Sequence, residues 1–137
     1  METSNRESGS LSLLLVEDDA EACTLVARAL SMKFRQIRLL TAENGALGLE
    51  LYQEHRPDIV LTDIKMPVMD GITMAGKIRE LHDHAVICVL SAYCDAQEYR
   101  KQAEGLDVCH FLPKPVDYST LFAAIDDCIA TVAKRWS

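Results

Sequence analysis

Leu11-Ser12-Leu13-Leu14-Leu15-Val16, followed at once by Glu17-Asp18-Asp19, is the stretch on which the fold turns. Six residues, apolar apart from Ser12, make a strand length, and the lack of alternation marks a strand buried on both faces. The acidic triplet closes it. Asp19 is placed to cap a following helix, in which Ala22, Leu25, Val26, Ala29 and Leu30 recur at three- and four-residue steps.

Outward from this stretch the same unit recurs four times. Ile37 to Ala42 reads as the second strand, and Asn44-Gly45 turns into a helix carrying Leu47, Leu51 and Tyr52. Pro57 precedes the third strand, Ile59 to Thr62. A loop then runs from Asp63 through Pro67 to Asp70-Gly71, where Asp70 caps a helix through Met74, Ile78 and Leu81. Val86 to Leu90 is the fourth strand, and Asp95 is expected to cap a helix reaching about Glu104. Val108 to Leu112 is the fifth strand, after which Asp117 caps a last helix with Leu121, Phe122, Ile125 and Ile129 on its buried stripe. Five βα units with short connections imply an α/β parallel sheet with helices on both faces, its strand order left open.

Bulk properties narrow the function. The chain has 137 residues, enough for one well-packed domain, expected over residues 11–135 behind a polar, flexible tail at 1–10. Its net charge of −7 repels nucleic acid and anionic lipid, so no direct nucleic-acid binding is expected. No apolar run approaches the ~20 residues of a membrane span, and residues 1–10 lack the apolar core of a secretory signal. Cys23, Cys88, Cys94, Cys109 and Cys128 are odd in number and widely spread, which suits a reducing cytoplasm better than a disulfide framework. Without a CxxC pair, His82, His84 and His110 reach a zinc ion only with unusual geometry.

Open α/β sheets bind ligands beyond the carboxyl ends of their strands. At those ends stand Glu17, Asp18 and Asp19 after the first strand, Asp63 after the third, Ser91 after the fourth, and Pro113-Lys114-Pro115 after the fifth. Crowded carboxylates need a compensating cation, and Mg2+ takes oxygen ligands of this kind. Lys114 adds a fixed positive charge and Ser91 a hydroxyl, a set suited to phosphoryl transfer onto a carboxylate. Taken singly, Asp63 is an ordinary loop aspartate, Lys114 a solvated lysine and Ser91 a turn residue. Their joint placement at the ends of four strands is what points to chemistry.

Leu14-Leu15-Val16-Glu17-Asp18-Asp19, Thr62-Asp63-Ile64-Lys65-Met66-Pro67-Val68-Met69-Asp70-Gly71, Leu90-Ser91-Ala92 and Leu112-Pro113-Lys114-Pro115 together resemble the receiver domain of two-component response regulators. The likeness covers roughly residues 11 to 135. It implies a flavodoxin-like (βα)5 fold, doubly wound, with strand order 2-1-3-4-5. It further implies Asp63 as phosphoacceptor, and Mg2+ held by Glu17, Asp18, Asp63 and the backbone carbonyl of Lys65. Lys114 would contact the phosphoryl group, with the Lys114-Pro115 bond cis. Ser91 stands where threonine is more frequent, and Phe111 where the switch aromatic is often tyrosine; Phe111 also reads simply as a core side chain. Lacking a hydroxyl to hold it outward, Phe111 is expected to favour its inward rotamer. Lys65 and Tyr93 flank the expected route of a hydrolytic water, and neither is suited to orient it.

The implied partners are a histidine kinase or phosphotransfer protein upstream and an output domain or protein downstream. A homodimer through the fourth helix, fifth strand and last helix is a further implication. The chain is then a cytoplasmic switch and not an enzyme, standing alone or as the receiver part of a longer regulator. Two rivals fit less well. A haloacid-dehalogenase-type phosphatase places Asp-x-Asp after its first strand, where this chain has Glu17-Asp18-Asp19. A flavodoxin-like carrier needs a phosphate-cradling first loop, and an acidic triplet repels phosphate.

Overall fold

The computed structural model describes the backbone of residues 11–136, and the side chains of that stretch except residues 93–97 and 136. The tail expected at 1–10 lies outside the described residues, as does the side chain of Trp136. In chain order the elements are β1 (Leu11–Val16), α1 (Ala20–Lys33), β2 (Ile37–Ala42), α2 (Gly45–His55), β3 (Ile59–Asp63), α3 (Gly71–Leu81), β4 (Val86–Ala92), α4 (Tyr93–Gly105), β5 (His110–Lys114) and α5 (Tyr118–Trp136). All strand pairs are parallel, in the order β2-β1-β3-β4-β5. This is the flavodoxin-like arrangement. Among the described residues no helix is long and apolar enough to cross a membrane.

The unbroken apolar run of β1 is explained by two cores. Leu13 and Leu15 face one layer with Val26 and Leu30 of α1 and Leu121, Ile125 and Cys128 of α5. Leu14 and Val16 face the other, with Tyr52 of α2, Met74 and Ile78 of α3 and Ala103 of α4. Each leucine so buried contributes roughly 2–3 kcal/mol of apolar transfer.

Several boundaries differ from the sequence reading, for physical reasons. β5 begins at His110, not Val108, because the chain is still turning at Asp107, a non-glycine residue at φ 56°. It runs on through Pro113, which has no N–H to donate; β5 is an edge strand, where that loss is tolerated. β3 and β4 extend to Asp63 and Ala92, so each chemically interesting residue lies inside the ladder, not after it. β4 passes directly into α4, whose N-cap is Ala92 with no side-chain cap bond. Asp95 is therefore within the helix and not its cap. Asp19, Asn44 and Asp70 do cap α1, α2 and α3 by accepting backbone N–H bonds, and Asp117 accepts from Thr120 at the start of α5. Leu25 and Leu47, expected on buried stripes, are exposed.

Arg79 of α3 ties the lower ends of three segments together. Its guanidinium donates to the carbonyls of Asp83 and Ala85 before β4, and of Leu106 and Asp107 after α4. Replacing it removes the donor to all four of these carbonyls. Arg79→Met should lower the unfolding free energy by about 1–3 kcal/mol, the usual cost of losing hydrogen bonds to a charged donor. Urea denaturation checks this: the midpoint falls while the slope stays constant, since the exposed surface on unfolding is unchanged.

Candidate functional site

Register builds the site. Val16 of β1 pairs with Ala42 and Thr62, Asp63 with Leu90, and Ser91 and Ala92 with Pro113 and Lys114. The carboxyl ends of β1, β3, β4 and β5 therefore finish nearly level. Glu17 is anchored just past β1 by its N–H bond to the Ala42 carbonyl, 3.0 Å.

Within this row Lys114 donates from Nζ to Glu17 Oε1 and to Asp63 Oδ2, each at 2.9 Å. Glu17 and Asp63 are almost fully buried, at 3% and 8% exposure, while Asp18 is exposed. Oxygens of Glu17, Asp18 and Asp63 all lie within 4.8 Å of one another, and among the described residues they form an acidic cluster able to hold a metal ion. The remaining oxygens are occupied: Glu17 Oε2 accepts from the Asp19 N–H at 3.1 Å, and Asp63 Oδ1 from the Ile64 N–H at 2.8 Å. Burial of Lys114 pulls its pKa down, but the hydrogen bonds it donates to Asp63 and Glu17, with their charges, outweigh that and raise it above the usual lysine range. Desolvation, then the bond and charge of Glu17, push the Asp18 carboxyl up. A hard cation with oxygen ligands answers that crowding, and the all-carboxylate donor set fits Mg2+.

Other expected residues are placed as follows. Ser91 is fully buried, and its hydroxyl donates to the Ala92 carbonyl at 3.1 Å. Lys65 sits exposed on the loop two residues past Asp63. The Lys114-Pro115 bond is cis. Phe111 is half-buried against the core shared by α2, α3 and α4, with the Arg100 guanidinium 5.5 Å from its ring centroid. The side chain of Tyr93 lies outside the described residues. His110 is bonded to Asp127, and His82 to Tyr52 and Arg56, so these rings serve hydrogen bonds far from the acidic cluster.

Three contributors were not legible in the sequence. Thr62 donates to the Asp63 carbonyl at 2.8 Å, steadying the backbone of Asp63 from the preceding position. Gly71, read only as the end of a turn, allows the loop to fold back: its N–H reaches the Ile64 carbonyl at 2.7 Å, and a Cβ there would lie 2.0 Å from the Asp63 carbonyl oxygen. Gly45 donates to the Met69 carbonyl, docking the loop onto α2. The glycines were visible, but not the backbone each one approaches.

The sequence profile of the response regulator receiver domain matches residues 13–126. The chain belongs to that family and is a receiver domain, the phosphorylation-dependent switch of two-component signalling. It is 32% identical over 128 residues to the transcriptional regulatory protein GlrR of Escherichia coli K12, covering 90% of this chain and 28% of that protein. It is 34% identical over 99 residues to the transcriptional regulatory protein HptR of Staphylococcus aureus, covering 72% of this chain and 38% of that protein. The chain thus spans well under half the length of these curated relatives. Among solved structures, the N-terminal domain of an uncharacterized protein from Wolinella succinogenes superposes with a TM-score of 0.82 at 30% identity, covering 92% of this chain and 99% of that one. The REC domain of AraT, a response regulator from Geobacillus stearothermophilus, gives a TM-score of 0.84 at 26% identity, covering 93% and 98%.

The raised pKa of Asp18 carries a sign. A carboxyl whose folded pKa exceeds its unfolded value near 3.8 favours folding below that pH and stops doing so as pH rises through the folded pKa. At neutral pH its ionised form opposes the fold. Asp18→Asn should therefore stabilise the metal-free protein by less than about 1 kcal/mol, since the group is exposed and screened. Magnesium should raise the melting temperature of the wild type and raise that of the variant less. Differential scanning fluorimetry with EDTA and with MgCl2 measures both.

Proposed function

We propose that Asp63 accepts a phosphoryl group from a phosphohistidine of a histidine kinase or phosphotransfer protein, and that the phosphorylated domain signals through α4, β5 and α5. The observation that carries this reading is Lys114 Nζ lying 2.9 Å from both Asp63 and Glu17 at the mouth of the acidic cluster. An ammonium so held meets the charge of an incoming phosphoryl group without leaving Asp63. The Asp63 carboxylate attacks phosphorus, an O–P bond forms, and the N–P bond of the donor breaks with its electron pair returning to the imidazole.

Glu17, Asp18 and Asp63, with the backbone carbonyl of Lys65, would hold Mg2+. When bound, that ion neutralises phosphoryl oxygens as charge shifts during transfer. Lys114 takes one oxygen of the new acyl phosphate. Ser91, released from the Ala92 carbonyl, offers its hydroxyl to another, and Phe111 moves into the space vacated. The affected face then meets an output domain, in the same chain or another, or a second copy of this domain. The protein acts in the cytoplasm as a switch and turns over no separate substrate.

Acetyl phosphate with MgCl2 should add one base-labile phosphoryl group to the wild-type chain, located at Asp63 by mass spectrometry. Asp63→Asn should take up none, because an amide is a poor nucleophile and a poor metal ligand. Full incorporation in that variant sinks the assignment.

The phosphorylated form should also decay slowly. Lys65 cannot accept a proton from an attacking water, and Tyr93 is not a residue that orients one. Radiolabelled Asp63 phosphate should be lost faster in a Lys65→Asn, Tyr93→Glu double variant than in wild type. Equal decay rates would show that neither position governs the lifetime.

A further inference from the structure

Cys88 and Cys128 are 40 residues apart in sequence, yet their Sγ atoms lie 3.0 Å apart. That is closer than ordinary non-bonded contact between heavy atoms of this size. Cys88 projects from β4 and Cys128 from α5 into the same core layer, at 0% and 1% exposure. Both are free thiols. No part of the phosphoacceptor site uses them.

We propose that this pair is an oxidation site, at which a hydroperoxide closes an intramolecular Cys88–Cys128 disulfide that fastens α5 to β4. One thiolate attacks the peroxide O–O bond, giving a sulfenic acid and releasing water or an alcohol. The second thiol then attacks that sulfur, the S–S bond forms, and the hydroxyl leaves as water with the remaining thiol hydrogen. Two electrons pass from the two sulfurs to the peroxide, which supplies both oxygens found in the products.

Burial sets the pace. The hydrogen bond with Cys128, followed by desolvation, pushes the Cys88 thiol far up, so little thiolate is present in the closed structure. Reaction therefore waits on local opening of α5 from the sheet, an event of lower free energy than global unfolding. Once opening admits peroxide to one sulfur, reclosure of α5 returns the two to contact distance, so intramolecular closure outruns capture by a second chain. The same burial then protects the bond from reductants. The staple joins the strand that bears Ser91 to the helix that completes the output face, so oxidation and phosphorylation act on the same two elements.

Cys109 is the competitor. It is exposed at the entry to β5, although partial desolvation of the sulfur raises its thiol as well. The test uses the full chain, reduced and then treated with hydrogen peroxide. It is alkylated in denaturant, digested without reductant and mapped by tandem mass spectrometry. The expected result is a loss of two titratable thiols per chain and a linked Cys88–Cys128 peptide pair, in material that migrates as a monomer on a non-reducing gel. The link should persist in Cys109→Ser and vanish in Cys128→Ala. Recovery of Cys88 and Cys128 as alkylated thiols while Cys109 is oxidised would overturn the proposal. So would a map in which Cys109 is linked to either of them.

Discussion

The contact on which the rest depends is the ammonium of Lys114, held between two carboxylates that the fold has taken almost out of water. Glu17 and Asp63 come from different strands, and their side chains converge where solvent can no longer screen them. Alone, such a pair favours separation or protonation. Lys114 reaches both at 2.9 Å and makes the convergence tolerable. The charge that keeps the resting domain together is thus also the one an incoming phosphoryl group would meet. The neighbouring groove, about 520 Å3, carries Asp18, Glu43, Glu50 and Glu54 around Glu17, so the local surface favours cations throughout.

Holding three chain ends at one level requires that the rest of the sheet not slip. Parallel pairing with both faces covered supplies this, because a one-residue shift of β1 would exchange Leu13 and Leu15 with Leu14 and Val16 between cores of different shape. At the far end of the strands Arg79 collects four carbonyls from the turns entering β4 and leaving α4. Close to the site the restraint is backbone alone. Gly71 lets the loop after β3 lie directly on the Asp63 carbonyl, so the peptide of Asp63 is itself part of the support.

The output side is built more loosely. Phe111 lies only half under cover, and among the described residues the guanidinium of Arg100 on α4 sits over its ring, a cation on an aromatic face. Such a cover can be displaced without opening the core. The Ser91 hydroxyl donates to its neighbour's carbonyl, a bond a stronger acceptor can replace. Beneath both, Cys88 and Cys128 join the same strand to α5 by sulfur contact. Displaceable and fixed contacts therefore meet on β4, which carries Ser91 at one end and core side chains along its length.

Much of this molecule was determined by its sequence alone. The apolar runs specified five strands, Asp19, Asn44, Asp70 and Asp117 specified four helix starts, and the acidic triplet, Asp63, Ser91 and Lys114 marked the strand ends at which the structure gathers charged and hydroxyl groups. These are local signals: strand burial, capping and residue type depend on neighbours in the chain. The tertiary structure decided what depends on separation in space. It carried β4 straight into α4, which left Asp95 no helix end to cap, and it moved β5 to His110–Lys114, where an edge position tolerates Pro113. It turned Leu25 and Leu47 to solvent despite their helical spacing. It brought Gly71 onto Asp63, Arg100 onto Phe111 and Cys88 onto Cys128, pairs whose members lie in different segments. No spacing rule encodes such meetings, because they follow from sheet order and helix packing, which a single sequence read locally does not contain.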